Sequence, residues 1–282
     1  MAGQVLLKGV VPRDDIDEMA ERCDVWAGLP DSELPPPLKS YDPDWENDPK
    51  TPRSVNNVEY ASPAFARLAL NPEIMRVVLA LTGNAPQAHG MSLVRDDGQD
   101  GADIPLHGGW AGGNLSGANG LRNPANDYQA SGGRILATFV NCATTLVNVP
   151  DGAGFVCVPG SHRSAFAMPE EIDIYTPPPS VVNICPNAGD TVVFTEMLCH
   201  GSRRWTEQNY PRRTIFQRYT TSYASWSPGV GPIEEYKDLI PAELYELKLA
   251  SGFQQQKKVV TRLLADQEEL AAAVPPRPKA AL

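Results

Sequence analysis

Residues 187–202 read NAGDTVVFTEMLCHGS. The apolar, β-branched run in this stretch is short, and turn-forming residues stand on both sides of it. Four similar runs occur between about Ala88 and Tyr223, again separated by Gly, Pro, Asn and Asp: RILATFV, GFVCVPG, SVVNIC and RTIFQRY. Many short strands with turn signals between them are typical of a β-sandwich or barrel, so we predict a mainly β core here.

Helical patterns lie on both sides of this core. From Pro12 to Trp26, a proline and three aspartates come first, and apolar residues follow at helical spacing. Ser62-Pro63 and Asn71-Pro72 each place an N-cap residue before a proline, which predicts two consecutive helices ending near Gly83. After Pro241 the leucines and valines return to helical spacing.

The composition narrows the class of protein. The chain has 282 residues, a hydrophobic fraction of 42% and a net charge of −10, which indicates a globular protein and argues against a nucleic-acid partner. Five scattered cysteines without a CxxC pair suggest neither a disulfide framework nor a zinc site. Because no signal peptide or membrane-spanning window is visible, we expect a cytoplasmic protein with no membrane partner.

The four histidines are the natural candidates for a metal site. His107 ends the apolar step IPLH, and His200 ends the apolar run of residues 191–199. Histidines at the ends of two strands suit a metal site in a barrel, because imidazole nitrogen binds borderline metals and the barrel wall fixes its direction. A single strand-end histidine is otherwise usually structural, so these two need support from their context.

Three stretches, in order, resemble the phytanoyl-CoA dioxygenase family. GAGFVCVPGSHRSAF (152–166) is similar to the family's apolar strand followed by Pro-Gly-Ser-His. NAGDTVVF (187–194) resembles the turn and strand before the distal iron-binding histidine, and HGSRRWTEQNYPRRTIFQRY (200–219) resembles that histidine and the later arginine that binds 2-oxoglutarate. The resemblance covers about residues 88–223. It implies a double-stranded β-helix, a jelly-roll and cupin-like core, with Fe(II) and 2-oxoglutarate as cofactors.

The same resemblance implies roles for individual residues. His107 and His200 match the two iron-binding histidines, Arg212 matches the arginine that holds 2-oxoglutarate, and Ser202 matches a hydroxyl on the same carboxylate. Arg213 is the alternative to Arg212, because neighbouring strand residues point to opposite faces of a sheet. His162 falls within the signature without matching a metal ligand, and we interpret it as structural.

One position departs from the family pattern. The family has His-x-Asp or His-x-Glu, the carboxylate completing the 2-His-1-carboxylate triad of non-haem iron oxygenases. Here the motif reads His107-Gly108-Gly109, and Gly109 has no side chain with which to bind iron. We include Gly109 among the catalytic positions, because iron halogenases carry Gly or Ala there.

Three interpretations of Gly109 remain open from the sequence. Chloride could take the position, giving a halogenase, and an aspartate at 109 should then displace it. Water or another side chain could take it instead, giving a hydroxylase or desaturase, and the candidates are Asp96, Asp103 and Glu196. The scaffold could also have become a non-catalytic binding protein, since fold alone does not establish function.

We therefore predict one domain over residues 1–282, with a β core at about 88–223 and helical segments at 1–87 and 236–275. The proline-rich segment 29–53 and the glycine-rich segment 98–133 are candidate walls over a small-molecule substrate. In the second segment the side chains of interest are Trp110, Asn114, Arg122 and Tyr128. The expected partners are that substrate and O2. The sequence indicates neither the substrate's identity nor the oligomeric state.

Overall fold

The chain forms mainly antiparallel β-structure in a computed structural model that describes residues 2–41, 52–98, 101–109, 127–164, 168–223, 231–252 and 255–273. The strands in these ranges are β1 (Gln4–Leu7), β2 (Lys39–Ser40), β3 (Arg53–Asn56), β4 (Pro86–Ala88), β5 (Ser92–Asp96), β6 (Ile104–His107), β7 (Tyr128–Ser131), β8 (Arg134–Ala137), β9 (Phe139–Thr145), β10 (Gly154–Cys157), β11 (Val182–Asn183), β12 (Thr191–Thr195), β13 (His200–Arg203) and β14 (Arg212–Thr221). The α-helices are α1 (Arg13–Ala27), α2 (Pro63–Ala69), α3 (Pro72–Leu81), α4 (Ala242–Lys248) and α5 (Lys258–Ala273).

Two antiparallel sheets form the core. The larger has the order β1-β12-β9-β14-β5-β3-β2, with β4 beside the far end of β14, and the smaller has the order β11-β10-β13-β6. Their inner faces meet where the ring of Phe155 in β10 lies 4.9 Å from that of Phe194 in β12. Strands β7 and β8 form a separate hairpin. This arrangement confirms the predicted double-stranded β-helix.

The larger sheet has one face toward the smaller sheet and one toward the helices. Along β14, Phe216 faces the smaller sheet, whereas Ile215 and Tyr219 are buried in the main core together with Phe65 of α2 and Ile74 of α3. The Tyr219 hydroxyl donates a hydrogen bond of 2.9 Å to the carbonyl of Ala69, so even its polar end is satisfied under the helices. The helices therefore close the outer face of the sheet.

The predicted helix starts are confirmed. The Ser62 hydroxyl accepts a hydrogen bond from the backbone N–H of Ala64 at the start of α2. The Asn71 side chain accepts hydrogen bonds from the backbone N–H groups of Glu73 and Ile74 at the start of α3. These contacts satisfy backbone donors that the first turn of a helix leaves without a partner.

Three strands before Ala88 were not predicted. Strand β1 pairs with β12, β3 pairs with β5, and β2 pairs with β3 at the edge of the larger sheet. These strands have two to four residues each, too few for an alternating pattern to stand out in the sequence. The N-terminal segment therefore extends the larger sheet as well as covering it.

Two buried lysines connect the C-terminal segment to the rest of the fold. Lys248 forms a salt bridge of 2.6 Å with Glu59, and both side chains are almost completely buried. The Lys257 ammonium group donates hydrogen bonds of 2.8 Å to the carbonyls of Pro86 and Leu247.

Across the described ranges, the structure contains no helix with the length and apolar character that a membrane span requires.

Candidate active site

A cavity of about 810 Å³ lies between the two sheets. Strands β6 and β13 contribute His107, His200 and Ser202 to its wall, and β14 of the larger sheet contributes Arg212. The predicted site residues with side chains therefore meet in one cavity although they lie on three different strands.

His107 and His200 are direct neighbours across two paired strands. They face each other in the register of β6 and β13, and their ring centroids are 4.3 Å apart. The Nδ1 atom of His107 lies 2.9 Å from the carbonyl of Pro105, and that of His200 lies 2.7 Å from the carbonyl of Leu198. Because a carbonyl only accepts, each Nδ1 carries the hydrogen, and each Nε2 keeps a lone pair for a metal ion.

The surroundings of His200 hold its ring in place and keep it uncharged. The ring centroid lies 4.7 Å from that of Phe194 and 6.0 Å from that of Phe155. Burial lowers the pKa of His200 below its ordinary value, an effect that the nearby Glu196 carboxylate opposes. A neutral imidazole is the form that binds metals.

Arg212 and Arg213 point in opposite directions. One Nη atom of Arg212 donates a hydrogen bond of 3.2 Å to the Ser202 hydroxyl, and burial lowers the pKa of Arg212. Arg213 instead forms two hydrogen bonds, of 2.8 and 2.7 Å, with the Asp24 carboxylate of α1. Of the two alternatives, Arg212 is therefore the arginine that reaches the cavity.

Gly109 has a structural reason to be glycine. Its φ is +55°, in the left-handed region, and its N–H donates a hydrogen bond of 3.2 Å to the carbonyl of Glu196. A Cβ atom at this position would collide with the carbonyl oxygen of Met197. The preceding Gly108, at φ +85°, would place a Cβ 2.7 Å from the carbonyl oxygen of Leu198. The backbone conformation thus explains this glycine pair without reference to a halide.

The three candidate carboxylates have different environments. Asp103 accepts hydrogen bonds from the backbone of Arg204 and from Tyr175, outside the cavity. Asp96 accepts one from the backbone of Gly98. Glu196 lies on the cavity wall, where it accepts a hydrogen bond of 2.5 Å from Asn141.

The donor set fits iron in part. Within the described part of the chain, no three His, Cys, Asp or Glu side chains converge as a metal-binding group. The two Nε2 atoms of His107 and His200 suit Fe(II), whereas the described residues place no carboxylate beside both.

The remaining predicted residues lie apart from the cavity or outside the described ranges. His162 is buried, its ring contacts that of Tyr128 edge-on at 4.5 Å, and neither residue is among those that line the cavity. Trp110, Asn114 and Arg122 lie outside the described residues, as do parts of both predicted wall segments.

Sequence reasoning missed several residues of the cavity wall. They include Lys39 and His89. Arg218 also lines the cavity; in the sequence it belongs to a cluster of arginines that suggests either a solvated surface or an anion site, and it lies an even number of residues after Arg212 on one strand and therefore faces the same way. Lys39 and His89 carry no comparable signal, because their place depends on which strands pair.

The comparisons with known proteins agree with this fold. The model of the phytanoyl-CoA dioxygenase (PhyH) family matches residues 1–214, whereas no curated protein matches the sequence significantly. HygX from Streptomyces hygroscopicus, solved with nickel, 2-oxoglutarate and hygromycin B, is 21% identical with a TM-score of 0.62, over 79% of this chain and 84% of that one.

Two further solved structures are similar in fold. The epimerase SnoN from nogalamycin biosynthesis, in complex with Fe3+, alpha ketoglutarate and nogalamycin RO, is 18% identical with a TM-score of 0.54, over 82% of this chain and 88% of that one. EctD from S. alaskensis, with 2-oxoglutarate and 5-hydroxyectoine, is 17% identical with a TM-score of 0.57, over 79% and 73%. The family match covers most of the chain, including His107, His200 and Arg212 of the cavity. The chain therefore belongs to the phytanoyl-CoA dioxygenase family of iron- and 2-oxoglutarate-dependent enzymes.

Proposed function

We propose that this enzyme oxidises an unactivated C–H bond of a small molecule, with iron held by His107 and His200 and with 2-oxoglutarate held by Arg212 and Ser202. One observation carries the proposal: two histidines whose Nε2 atoms keep a lone pair share a cavity with Arg212, a half-buried arginine that donates a hydrogen bond to Ser202, two residues after His200 on β13. This arrangement suits 2-oxoglutarate, because its keto-acid end can chelate a metal held by the histidines while its other carboxylate binds the arginine.

Iron, when bound, supplies the oxygen-activating chemistry that the side chains lack. The overall reaction consumes the substrate R–H, 2-oxoglutarate and O2, and it yields R–OH, succinate and CO2. One oxygen atom enters succinate and the other enters the product, so no further reductant is required.

The protein's own part is positioning. The Arg212 guanidinium can bind the far carboxylate of 2-oxoglutarate through two parallel hydrogen bonds, which fixes the position of the keto acid. Its Nε contacts the Thr214 hydroxyl at 3.3 Å and one Nη contacts Ser202, so the group is held before the cosubstrate arrives. Phe155 and Phe194 exclude water from one side of His200.

We propose oxygen transfer rather than halogenation. The argument for a halide came from Gly109, and the left-handed backbone and the nearby Met197 carbonyl give that glycine another cause. Chloride is therefore not part of the proposed cofactor set. Glu196 is the alternative carboxylate on the cavity wall, near His200, where it accepts a hydrogen bond from Asn141; we do not assign it as an iron ligand.

Turnover of 2-oxoglutarate tests the assignment. With Fe(II) and O2, the wild-type protein should release succinate, slowly without a prime substrate. His107→Ala and His200→Ala should each abolish this release, because each removes one of the two nitrogen ligands. His89→Gln is the matched control and should keep succinate release. His89 also lines the cavity, but its Nε2 atom forms a hydrogen bond of 3.0 Å with the Thr220 hydroxyl. Full succinate release in either alanine variant would contradict the site assignment.

A further inference from the structure

The cavity is electropositive in a chain that is acidic overall. Among its described lining residues are four cationic side chains, Lys39, Arg212, Arg218 and Lys248, and one carboxylate, Glu196, while the whole chain has a net charge of −10. Lys248 is already neutralised by Glu59, and Arg212 has a role in the proposed function. Arg218 and Lys39 remain without an assigned purpose, and a concave site lined by one sign of charge attracts ligands of the opposite sign.

Arg218 is held in position, with its guanidinium carbon 5.6 Å from the centroid of the Phe216 ring. One Nη atom donates a hydrogen bond of 3.2 Å to the Ser92 hydroxyl, which in turn donates one of 2.6 Å to the Asn56 side chain. In the described part of the chain, Arg218 forms no salt bridge, and the Glu196 carboxylate that attracts it is bonded to Asn141. Most of the guanidinium N–H donors thus remain available on the cavity wall.

The position of Arg218 suits an anionic ligand. The residue is half-buried in the cavity wall, and burial lowers its pKa, an effect that the Glu196 carboxylate opposes. An anion in the cavity would stabilise its charge, and a carboxylate or phosphate matches its planar array of donors.

The sheet register places Arg218 close to the metal-binding histidines. Arg218 pairs with Asn141 on β9, and Asn141 pairs with Phe194 on β12, whose ring contacts His200. The backbones of Arg218 and Phe194 are therefore two strand spacings apart, about 10 Å. Arg212 lies six residues away along β14, about 20 Å at the backbone level. The two arginines consequently serve different ends of the cavity.

We propose that Arg218 binds an anionic oxygen group, a carboxylate or a phosphate, of the prime substrate and so holds the carbon to be oxidised beside His107 and His200. This inference rests on the proposed function, because it takes the histidines as the centre of reaction. Lys39 pairs with Asn56 in the register of β2 and β3, on the same wall, and adds a second positive charge at the cavity's edge. The substrate class is therefore a small organic anion.

Residue-resolved arginine labelling tests the proposal without knowledge of the substrate. The full-length protein, kept anaerobic with Fe(II) and saturating 2-oxoglutarate, is treated with phenylglyoxal, and labelling of Arg212, Arg218 and Arg204 is followed by peptide mass spectrometry. The probes are inorganic phosphate and acetate, with acetamide as the neutral counterpart of acetate. Arg204, whose side chain is 58% exposed, reports any general effect of the added anions.

The expected result is protection of Arg218 by phosphate, by acetate or by both, and none by acetamide. At an anion concentration of about twice its dissociation constant, labelling of Arg218 should fall about threefold, because only the unbound fraction reacts. Labelling of Arg204 should stay unchanged. Which of the two anions protects identifies the group on the substrate.

Other outcomes would overturn the inference. If neither anion changed the labelling rate of Arg218, the guanidinium would bind neither of them. If Arg218 were not labelled at all, no ligand would reach it. The proposed function fails separately, if 2-oxoglutarate does not protect Arg212. The variants Arg218→Gln and Arg213→Gln provide a matched pair on one strand. With Fe(II) and saturating 2-oxoglutarate occupying Arg212, phosphate or acetate should raise the melting temperature of Arg213→Gln and of the wild type, and not that of Arg218→Gln.

Discussion

Gly109→Ala should destabilise the protein more than the same substitution at another glycine with a similar backbone conformation. The residue has φ +55°, which costs an L side chain about 1–2 kcal/mol. The new methyl group would also collide with the Met197 carbonyl, and overpacking of this kind typically adds about 1–3 kcal/mol. The expected loss in the free energy of unfolding is therefore about 2–5 kcal/mol.

Gly132→Ala is the matched control. Gly132 lies in the β7–β8 turn with φ +58°, and a Cβ there would meet no atom within 4 Å. Only the conformational cost applies, so its loss should be about 1–2 kcal/mol. Urea unfolding followed by circular dichroism measures both values. If Gly109→Ala lost no more stability than Gly132→Ala, the steric account of Gly109 would be wrong, and the halide interpretation would regain its basis.

The same reasoning changes the use of Gly109→Asp. From the sequence, this variant should fill the vacant ligand position. The structure predicts instead that it loses stability as Gly109→Ala does and binds Fe(II) no more tightly than the wild type, because the backbone at 109 must move before the carboxylate can approach the histidines. Tighter iron binding with wild-type stability would contradict the structure's geometry here.

Three further results are expected. Arg212→Gln should weaken 2-oxoglutarate binding roughly 100-fold by calorimetry, from the loss of charge-assisted hydrogen bonds, and Arg213→Gln should leave it unchanged. Lys248→Met should cost about 3–5 kcal/mol in urea unfolding, because it leaves a buried carboxylate unpaired, whereas Arg262→Met at an exposed ion pair should cost under about 1 kcal/mol. Burial lowers the pKa of His89 to about 4, so the unfolded state binds its proton more readily. Stability should therefore fall between about pH 6.5 and pH 4, by on the order of 3 kcal/mol from this group, and His89→Gln should flatten that fall.

The local features of the fold could be predicted because short stretches of sequence determine them. Ser62 and Asn71 cap helices through bonds within three residues. The prediction that the apolar run ends as one strand at His200 is wrong: β12 ends at Thr195, and His200 begins β13 in the other sheet. His107 and His200 were predicted by resemblance, and their adjacency follows once β6 and β13 pair.

Other features depend on partners that are distant in the sequence. The choice between Arg212 and Arg213 depends on which face of the sheet each residue of β14 points to. Arg213 binds Asp24 of α1 on the outer face, so Arg212 points to the cavity. The steric setting of Gly109 could not be predicted, because nothing nearby in the sequence reveals that the Met197 carbonyl occupies the space of its side chain. Strands β1, β2 and β3 were missed because their pairing partners, rather than their own patterns, make them strands.

The central claim is that His107 and His200 hold iron beside a 2-oxoglutarate site at Arg212. Anaerobic titration of the protein with Fe(II) and 2-oxoglutarate tests it most directly, through the visible charge-transfer absorption of an iron-bound keto acid. The account predicts a band in the wild type that is indifferent to chloride, unchanged in His89→Gln, and lost in both His107→Ala and His200→Ala. A full band in either alanine variant, or no band in the wild type, would contradict it.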